Sequence, residues 1–245
     1  MAGAISVPRR ERPSRRTFSR QEVVSTALAI IDRDGLDALS MRGLADELGT
    51  YPTSLYWHAG TKAQLLALVC QEALSTVVLP DESDLNWQEW IIALGRELRN
   101  AFMQHPNLIT YFTAQMQVST ASFEIAERVL AALSRAGFSG PSLVHAYNTT
   151  LATIVGWLGS EFADDPRGAP DDWQAFFRQQ LDETENVPTI RTHLDALRNH
   201  ALMLRWESGR TNPLHESFEF MLSTLVAGLA IMAQKSPHDE PGVGA

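Results

Sequence analysis

The sequence is poor in cysteine, lacks a long uninterrupted apolar run and shows no sustained alternation of apolar and polar residues. Its single cysteine, Cys70, excludes an internal disulfide framework and a zinc site built from several thiolates. The most apolar stretch, residues 218–233, is broken by Ser223, Thr224 and Gly228, and it is shorter than the roughly 20 residues that a membrane span needs. Without alternation or hairpin turns, β-strands are not predicted. We therefore expect a helical protein with no membrane partner.

The overall composition is that of an ordinary globular protein. The chain has 245 residues, of which 44% are hydrophobic and 20% are charged. This length allows one large domain or two small ones. The arginine-rich beginning has no apolar segment of the kind that a signal peptide contains. Together with the single cysteine, this predicts a cytoplasmic protein.

Charge is distributed unevenly along the chain. Residues 1–62 contain nine lysines and arginines against seven acidic residues, whereas residues 63–245 contain eleven against twenty-two, and the net charge is −9. A basic beginning on an acidic body predicts a polyanionic partner at the N-terminal end only. We expect residues 1–17 to form a basic, disordered arm, with contact between its arginines and that partner left open, and residues 236–245 to form a flexible tail.

Helix-capping signals divide the N-terminal part into short helices. Capping-box spacing occurs at Ser19 with Glu22 and again at Thr61 with Gln64, in each case before an apolar helical face. Pro52 is placed to begin a short helix between them, because proline is tolerated in a first turn. The same 3.6-residue periodicity continues through the rest of the chain. Later helices are predicted at about residues 107–116, 121–136, 141–162, 171–184, 189–207 and 214–235.

Residues 40–58 have the dimensions of a helix-turn-helix, with two short helices joined by a tight turn at 49–51. Leu55 is the predicted anchor of the second helix on the core, which leaves its opposite face for a DNA major groove. The polar and aromatic groups that this face offers are Thr53, Ser54, Tyr56 and His58. Lys62 then stands at the start of a long helix whose first N–H groups suit a phosphate. The alternative is a plain helical hairpin in an all-α protein.

At this point residues 17–69 resemble the DNA-binding head of the TetR (tetracycline repressor) family of bacterial transcriptional regulators. The resemblance rests on five short motifs and a lysine. They are Asp34-Gly35-Leu36, Leu39-Ser40-Met41-Arg42, Leu44-Ala45, Leu48-Gly49, Leu55-Tyr56-Trp57-His58 and Lys62 followed by Leu65-Leu66. The resemblance implies an all-α homodimer. Each subunit would have a three-helix DNA-binding head at 18–64 and a helical domain for ligand binding and dimerisation at 65–235.

The resemblance also assigns DNA-binding roles to individual residues. Those expected to contact DNA are Arg42, Thr50, Tyr51, Pro52, Thr53, Ser54, Tyr56, Trp57, His58 and Lys62. Lys62 is expected at a phosphate, and Thr50 and Tyr51 at the DNA backbone. Trp57 has two interpretations, a second core anchor or a contact with the sugar-phosphate backbone, and we favour the anchor.

The body resembles the tetracycline repressor's own subgroup more weakly, through residues 86–89, the Gly137-Phe138 turn and a helix ending near Glu161. Val78 and Phe112 stand where the resemblance leads us to expect histidines, so we predict neither a metal-chelated drug nor a cofactor. The expected effector pocket is mostly apolar. Its predicted lining is Leu94, Leu98, Phe102, Tyr111, Phe112, Gln115, Met116, Val129, His145, Asn148, Trp157 and Glu161. The alternative is that many of these are ordinary core residues and that His145 is a buried or interface histidine.

The last helix carries an apolar stripe that we assign to a dimer interface. The stripe consists of Phe218, Met221, Leu222, Leu225, Leu229 and Met232. With the helix at 141–162, it would form a four-helix seam about a two-fold axis. The alternative is burial within one subunit.

The predicted function is a ligand-responsive regulator, released from a palindromic DNA operator by a small, largely apolar molecule. One alternative is a DNA-binding regulator without a ligand, which a filled core in the body would favour. Another is a helical enzyme using His193, Asp195 and His200, although their spacing matches no zinc motif.

Overall fold

The structure is a computed structural model that describes residues 18–115, 119–163, 172–202, 205 and 209–235. The side chains of Gln115, Trp173 and Gln174 are not described. The expected arm at 1–17, the expected tail at 236–245 and the pocket residue Met116 lie outside the described residues. Within the described ranges all regular structure is helical, which confirms the predicted all-α class.

The N-terminal head consists of helices α1 to α4. Their bounds are α1 Arg20–Asp34, α2 Met41–Glu47, α3 Pro52–Ala59 and α4 Lys62–Ser75. The two predicted capping boxes are present: the hydroxyls of Ser19 and Thr61 accept from the backbone N–H of Glu22 and Gln64. The head core is apolar and continues along α4 as far as Ala73, beyond the predicted domain limit at residue 64.

The turn between α2 and α3 is short and contains a glycine, as is common in a helix-turn-helix. Gly49 has φ +64°, a left-handed conformation that glycine adopts without a steric penalty. The Thr50 N–H donates to the Ala45 carbonyl at 2.8 Å and closes the end of α2. Pro52 occupies the first turn of α3, as predicted. This turn sets the direction in which α3 leaves α2.

The body contains α5 to α11. Their bounds are α5 Trp87–Gln104, α6 Ile109–Gln115, α7 Thr120–Arg135, α8 Gly140–Glu161, α9 Trp173–Glu183, α10 Pro188–Leu197 and α11 His215–Lys235. The predicted helix at 189–207 is therefore too long. It ends at Leu197, and Asn199 follows with φ +62°, a left-handed conformation that cannot continue an α-helix.

Two apolar cores meet where the head joins the body. A 3-10 turn, Pro106–Leu108, follows α5, and its Leu108 is fully buried in the head core. Phe112 of α6 packs against both cores. The short segment from the end of α5 through α6 therefore connects the interior of the body to the head.

By length and composition alone, helix α11 could cross a membrane. The apolar stretch identified in the sequence, residues 218–233, is shorter than this helix. It packs against α5 and α8. Its buried face carries Phe218, Leu222 and Leu225. Helix α11 therefore contributes one face to the body core.

Candidate nucleic-acid interface and effector-binding body

Helix α3 is held in the head by one narrow apolar face. Leu55 is fully buried and Ala59 is 4% exposed, and both belong to the head core. The helix packs against α1, α2 and α4. The prediction that Leu55 anchors this helix is confirmed by its burial.

The remaining surface of α3 and its surroundings carries aromatic, hydroxyl and cationic groups. Tyr51 is 78% exposed, Tyr56 is 52% exposed and Trp57 is 91% exposed. The exposed members of the predicted DNA set also include Arg42, Thr53 and Lys62, while Thr50, Pro52, Ser54 and His58 are half-buried. All ten predicted residues are therefore at least partly accessible to solvent, and eight of them lie on α3 or in the turn that precedes it.

The preference for Trp57 as a second core anchor is wrong. Consecutive residues of an α-helix are about 100° apart, so Trp57 lies about 200° from both Leu55 and Ala59. Its ring therefore projects away from the head core, and it is almost fully exposed. An exposed indole beside two tyrosines gives this surface a flat aromatic character as well as hydrogen-bond donors.

The apolar members of the predicted effector pocket lie in the core of the body. Leu94, Leu98, Phe102 and Val129 are at most 4% exposed and pack in one cluster. Phe112 lies beside Phe102 with ring centroids 4.9 Å apart. These side chains come from α5, α6 and α7 and pack together in the body core.

The polar members of that predicted set are scattered. Tyr111 packs on the head core, and His145 and Asn148 are exposed on the outer face of α8. The Nε1–H of Trp157 donates to Glu161 Oε2 at 3.1 Å. The structure therefore brings Trp157 and Glu161 together but places His145 and Asn148 away from the buried cluster.

Glu161 is buried in a dense set of hydrogen bonds. Arg99 Nε donates to Glu161 Oε2 at 2.9 Å and Arg99 Nη2 donates to Oε1 at 2.6 Å. The Leu214 N–H donates to Oε1 at 2.7 Å. Burial alone would raise the pKa of Glu161, but the hydrogen bonds from Arg99 and Leu214 outweigh it and lower the pKa below its ordinary value. Glu161 is therefore an internal counter-ion that joins α5, α8 and the start of α11.

Sequence reasoning missed Arg99, although a signal was present. Arg99 is next to Leu98 and three residues before Phe102, and so adjoins the apolar face of α5. A charged residue beside such a face needs a buried partner. The sequence does not say which of the 29 acidic residues supplies it.

A second missed feature lies between the head and the body. Asn107 Nδ2 donates to the carbonyls of Ile31 and Asp32 at 2.8 and 3.1 Å. His105 Nδ1 is 2.9 Å from Asp32 Oδ2. These contacts attach the end of α1 to the segment that links α5 and α6.

The predicted dimer stripe of α11 is divided between the core and the surface. Phe218, Leu222, Leu225 and Leu229 are at most 8% exposed within the single chain, so the structure places them in the subunit's own core. Met221 is half-buried and Met232 is 56% exposed. The more exposed face of α11 carries Phe220 (75%) and Ile231 (53%).

The residues considered for an enzyme are all exposed. His193 and Asp195 lie on α10, and His200 lies in the turn that follows. In the part of the chain that the structure describes, no three His, Cys, Asp or Glu side chains are grouped so that they could hold a metal ion. These observations assign no chemistry to the three residues.

Two family models match the chain. Residues 23–69 match the model described as bacterial regulatory proteins, tetR family. Residues 79–233 match the model of the tetracyclin repressor-like C-terminal domain. Together they cover the head and most of the body.

Curated relatives of the chain are regulators. It is 33% identical over 154 residues to an HTH-type transcriptional regulator of Saccharopolyspora erythraea. The matched region covers 63% of this chain and 65% of that relative. The chain thus spans slightly less than two thirds of that relative. It is 28% identical over 239 residues to the HTH-type transcriptional repressor DrrR1 of Streptomyces coeruleorubidus, covering 94% and 85% of the two chains. A class A tetracycline repressor of Escherichia coli is 30% identical over 146 residues, covering 58% and 67%.

Solved structures show the same fold. The TetR family protein ActR of Streptomyces coelicolor, in complex with actinorhodin, has a TM-score of 0.68 and 25% identity, covering 89% of this chain and 99% of ActR. BioQ with its double-stranded DNA operator has a TM-score of 0.54 and 30% identity, covering 68% and 97%. One similar structure thus holds a small molecule and another holds DNA.

Proposed function

Because the chain belongs to the TetR family of bacterial regulatory proteins, we propose that it is a cytoplasmic repressor released from a palindromic DNA operator by a small molecule. The observation that carries this proposal is the exposed surface of α3. A helix fixed by Leu55 presents Tyr56 and Trp57 outward, together with Thr53. Such a helix suits the major groove of DNA.

The DNA contacts divide into two chemical classes. Arg42 and Lys62 are exposed cations that neutralise phosphates and make binding depend on salt. Thr53 and Tyr56 offer hydroxyl groups and apolar surface to base edges and thymine methyl groups. Trp57 and Tyr51 lie against the sugar-phosphate backbone. The first class contributes affinity for any DNA, and the second contributes sequence discrimination.

We assign the dimer interface to the exposed faces of α8 and α11, which are neighbours in the fold. These faces consist of His145, Asn148, Thr149, Ala152 and Gly156 of α8 and Phe220, Thr224, Ala227 and Ile231 of α11. Small residues at their centres allow close approach of a two-fold related pair. His145 and Asn148 then belong to the interface, and the effector set is reduced accordingly. Phe220→Glu should give monomers by sedimentation, whereas Phe123→Glu, at a position of α7 that is 65% exposed, should leave dimers.

The route from effector to DNA passes through α6. An effector that enters the core beside Phe102 displaces Phe112, which also packs on the head. Asn107 and His105 attach the same segment to the end of α1. Movement of α6 therefore changes the position of the head. Two heads must lie roughly 34–36 Å apart to fill both half-sites of a palindrome, so this movement lowers DNA affinity.

Selection of bound duplexes from a random pool at physiological salt, followed by sequencing, tests this function. An enriched palindrome is expected, since a dimer of identical heads reads two identical half-sites. Only weak, salt-sensitive binding without enrichment would contradict specific recognition. The Leu55→Ala protein serves as the control, because α3 then loses its anchor.

A regulator without an effector is the second candidate, and one observation favours it. Leu94, Leu98, Phe102 and Val129 pack against one another in the body core, so an effector needs this core to open. Hydrogen exchange of the α5 and α6 amides distinguishes a regulator that binds an effector from one that does not. Rapid local exchange supports an opening core, and exchange only by global unfolding supports the second candidate.

A further inference from the structure

A single residue at the end of α8 holds the loop that leads into α11. The Gly209 N–H donates to the Glu161 carbonyl at 2.9 Å, and the Leu214 N–H donates to Glu161 Oε1 at 2.7 Å. Residues 209–214 thus form a loop, the 209–214 loop, that is attached at both ends to Glu161. Arg99 in turn fixes the carboxylate in the body core. The loop therefore takes its position from the buried ion pair.

The attachment at Gly209 leaves no room for a larger residue. A Cβ atom at this position would lie 2.5 Å from the carbonyl oxygen of Glu161 and 2.8 Å from its Cγ. Both distances are far shorter than a van der Waals contact, and a backbone oxygen cannot turn aside as a flexible side chain can. A side chain at position 209 would therefore push the loop away from the end of α8.

The exposed middle of the 209–214 loop reaches the head. Arg210 lines a cleft of about 440 Å³ together with residues from the end of α1, the turn after α1 and the segment that begins α6. Those that matter here are Arg33, Asp34, Asp37, Asn107 and Thr110. The loop, the head and the segment between α5 and α6 therefore meet at this cleft.

The head side of the cleft is acidic. Asp34 is the last residue of α1, and Asp37 lies in the 3-10 turn that follows. The helix dipole adds partial negative charge at the same end of α1. Arg33 already serves two carboxylates, that of Asp34 at 2.8 Å and that of Glu47 on α2 at 3.3 Å. The positive charge of Arg210 is therefore complementary to this end of α1, which Arg33 connects to the first helix of the helix-turn-helix.

We propose that Glu161 is a positioning residue for the DNA-binding head. It fixes the 209–214 loop, the loop holds Arg210 at the acidic end of α1, and this attraction restricts movement of the head relative to the body. The inference rests on the proposed function for the role of the head in DNA binding. It adds a connection between the body core and the head that is distinct from the packing of Phe112. Disruption of the pair of Arg99 and Glu161 therefore loosens the head.

Amide hydrogen exchange of the full chain without DNA tests the attraction. The reporters are the N–H groups of Gly35, Ala38 and Leu39, which donate to carbonyls at the end of α1 and in the turn after it. Arg210→Gln should raise their exchange rates about two- to fivefold, as expected for loss of an exposed charge interaction. Arg178→Gln, which removes the same charge at an exposed position of α9 outside the cleft, should leave them unchanged. Unchanged rates in Arg210→Gln would overturn the proposal.

Gly209→Ala tests whether the loop sets the position of Arg210. This variant keeps every charge but displaces the loop from Glu161, so the same amides should exchange faster by a similar factor. In the double variant with Arg210→Gln the two effects should not add, because both remove one contact. Unchanged rates in Gly209→Ala, or additive effects in the double variant, would overturn the role of the loop.

A control amide in the head distinguishes a local effect from a general one. The Gly60 N–H donates to the Tyr56 carbonyl at the end of α3 and lies outside the cleft. An equal rise in exchange there would indicate a general loss of stability and would contradict the positioning role of Glu161. Because no DNA is present, failure of this test leaves the proposed function standing, and failure of the palindrome selection leaves this test standing.

Discussion

The head and the body differ in where they keep their polar groups. The described residues of the head core are all apolar, and the aromatic and cationic side chains lie outside on α3 and its neighbours. The body instead buries Arg99, Thr150 and Glu161. A surface that binds a charged polymer such as DNA needs its polar and cationic side chains exposed, and an apolar core beneath is enough to hold them in place. In the body, the internal ion pair of Arg99 and Glu161, with the hydrogen bond from Leu214, joins α5, α8 and the start of α11.

The largest expected effect is at the buried pair of the body. Glu161→Ala leaves the guanidinium of Arg99 buried without its counter-ion, and we expect a loss of about 3–5 kcal/mol in the free energy of unfolding. Urea denaturation measures this loss. Glu219→Ala, which breaks the exposed pair with Arg96, should cost at most about 1 kcal/mol.

A double variant separates the cost of an unpaired charge from the value of the pair. Replacing both partners by apolar residues, Arg99→Met with Glu161→Leu, should cost much less than Glu161→Ala alone. If the double variant is as unstable as the single one, the other hydrogen bonds of Glu161, from Leu214 and Trp157, provide the stability instead.

In the head, the largest expected loss of stability comes from a cavity left in the core. Leu55→Ala removes the fully buried anchor of α3 and should cost about 2–5 kcal/mol by urea denaturation. The matched control is Trp57→Ala on the same helix. Its side chain is 91% exposed, so its effect on stability should lie within about 0.5 kcal/mol. A large loss at Trp57 would restore the rejected anchor role.

Acid should act on the body through Glu161. Its pKa is lowered in the folded chain, so its contribution to stability is present above the ordinary value of 4.5 and is lost as the pH falls through the folded pKa. We expect the free energy of unfolding to decrease on acidification below that value, and Glu161→Gln to flatten part of the decrease. Identical acid profiles for the two proteins would show that Glu161 contributes nothing to the pH dependence.

Much of the head could be predicted from the sequence because its signals are local. The capping boxes, the turn at Gly49 and the anchor Leu55 each depend on residues a few positions apart. The orientation of Trp57 was also available from helix geometry. Tryptophan is highly buried on average, but the angular offset of Trp57 from Leu55 on the helix decides its exposure.

The body was less predictable because its contacts are distant in sequence. Arg99 and Glu161 are 62 residues apart, and no local pattern pairs them. The apolar stripe of α11 is visible in the sequence, but periodicity cannot distinguish burial in one subunit from burial between two. Helix α11 packs against α5 and α8, and Phe218 and Leu222 are buried there, so these two residues belong to the subunit's own core.

The most direct test of the account compares two exposed residues of the head on two duplexes. The affinities of Tyr56→Ala and Lys62→Ala are measured on the selected palindrome and on a scrambled duplex over a range of salt. We expect Tyr56→Ala to lose about 1–3 kcal/mol on the palindrome alone. Lys62→Ala should weaken both duplexes alike and reduce the salt slope by about one. If both variants weaken both duplexes equally, this surface does not read sequence, and the account of the head is contradicted.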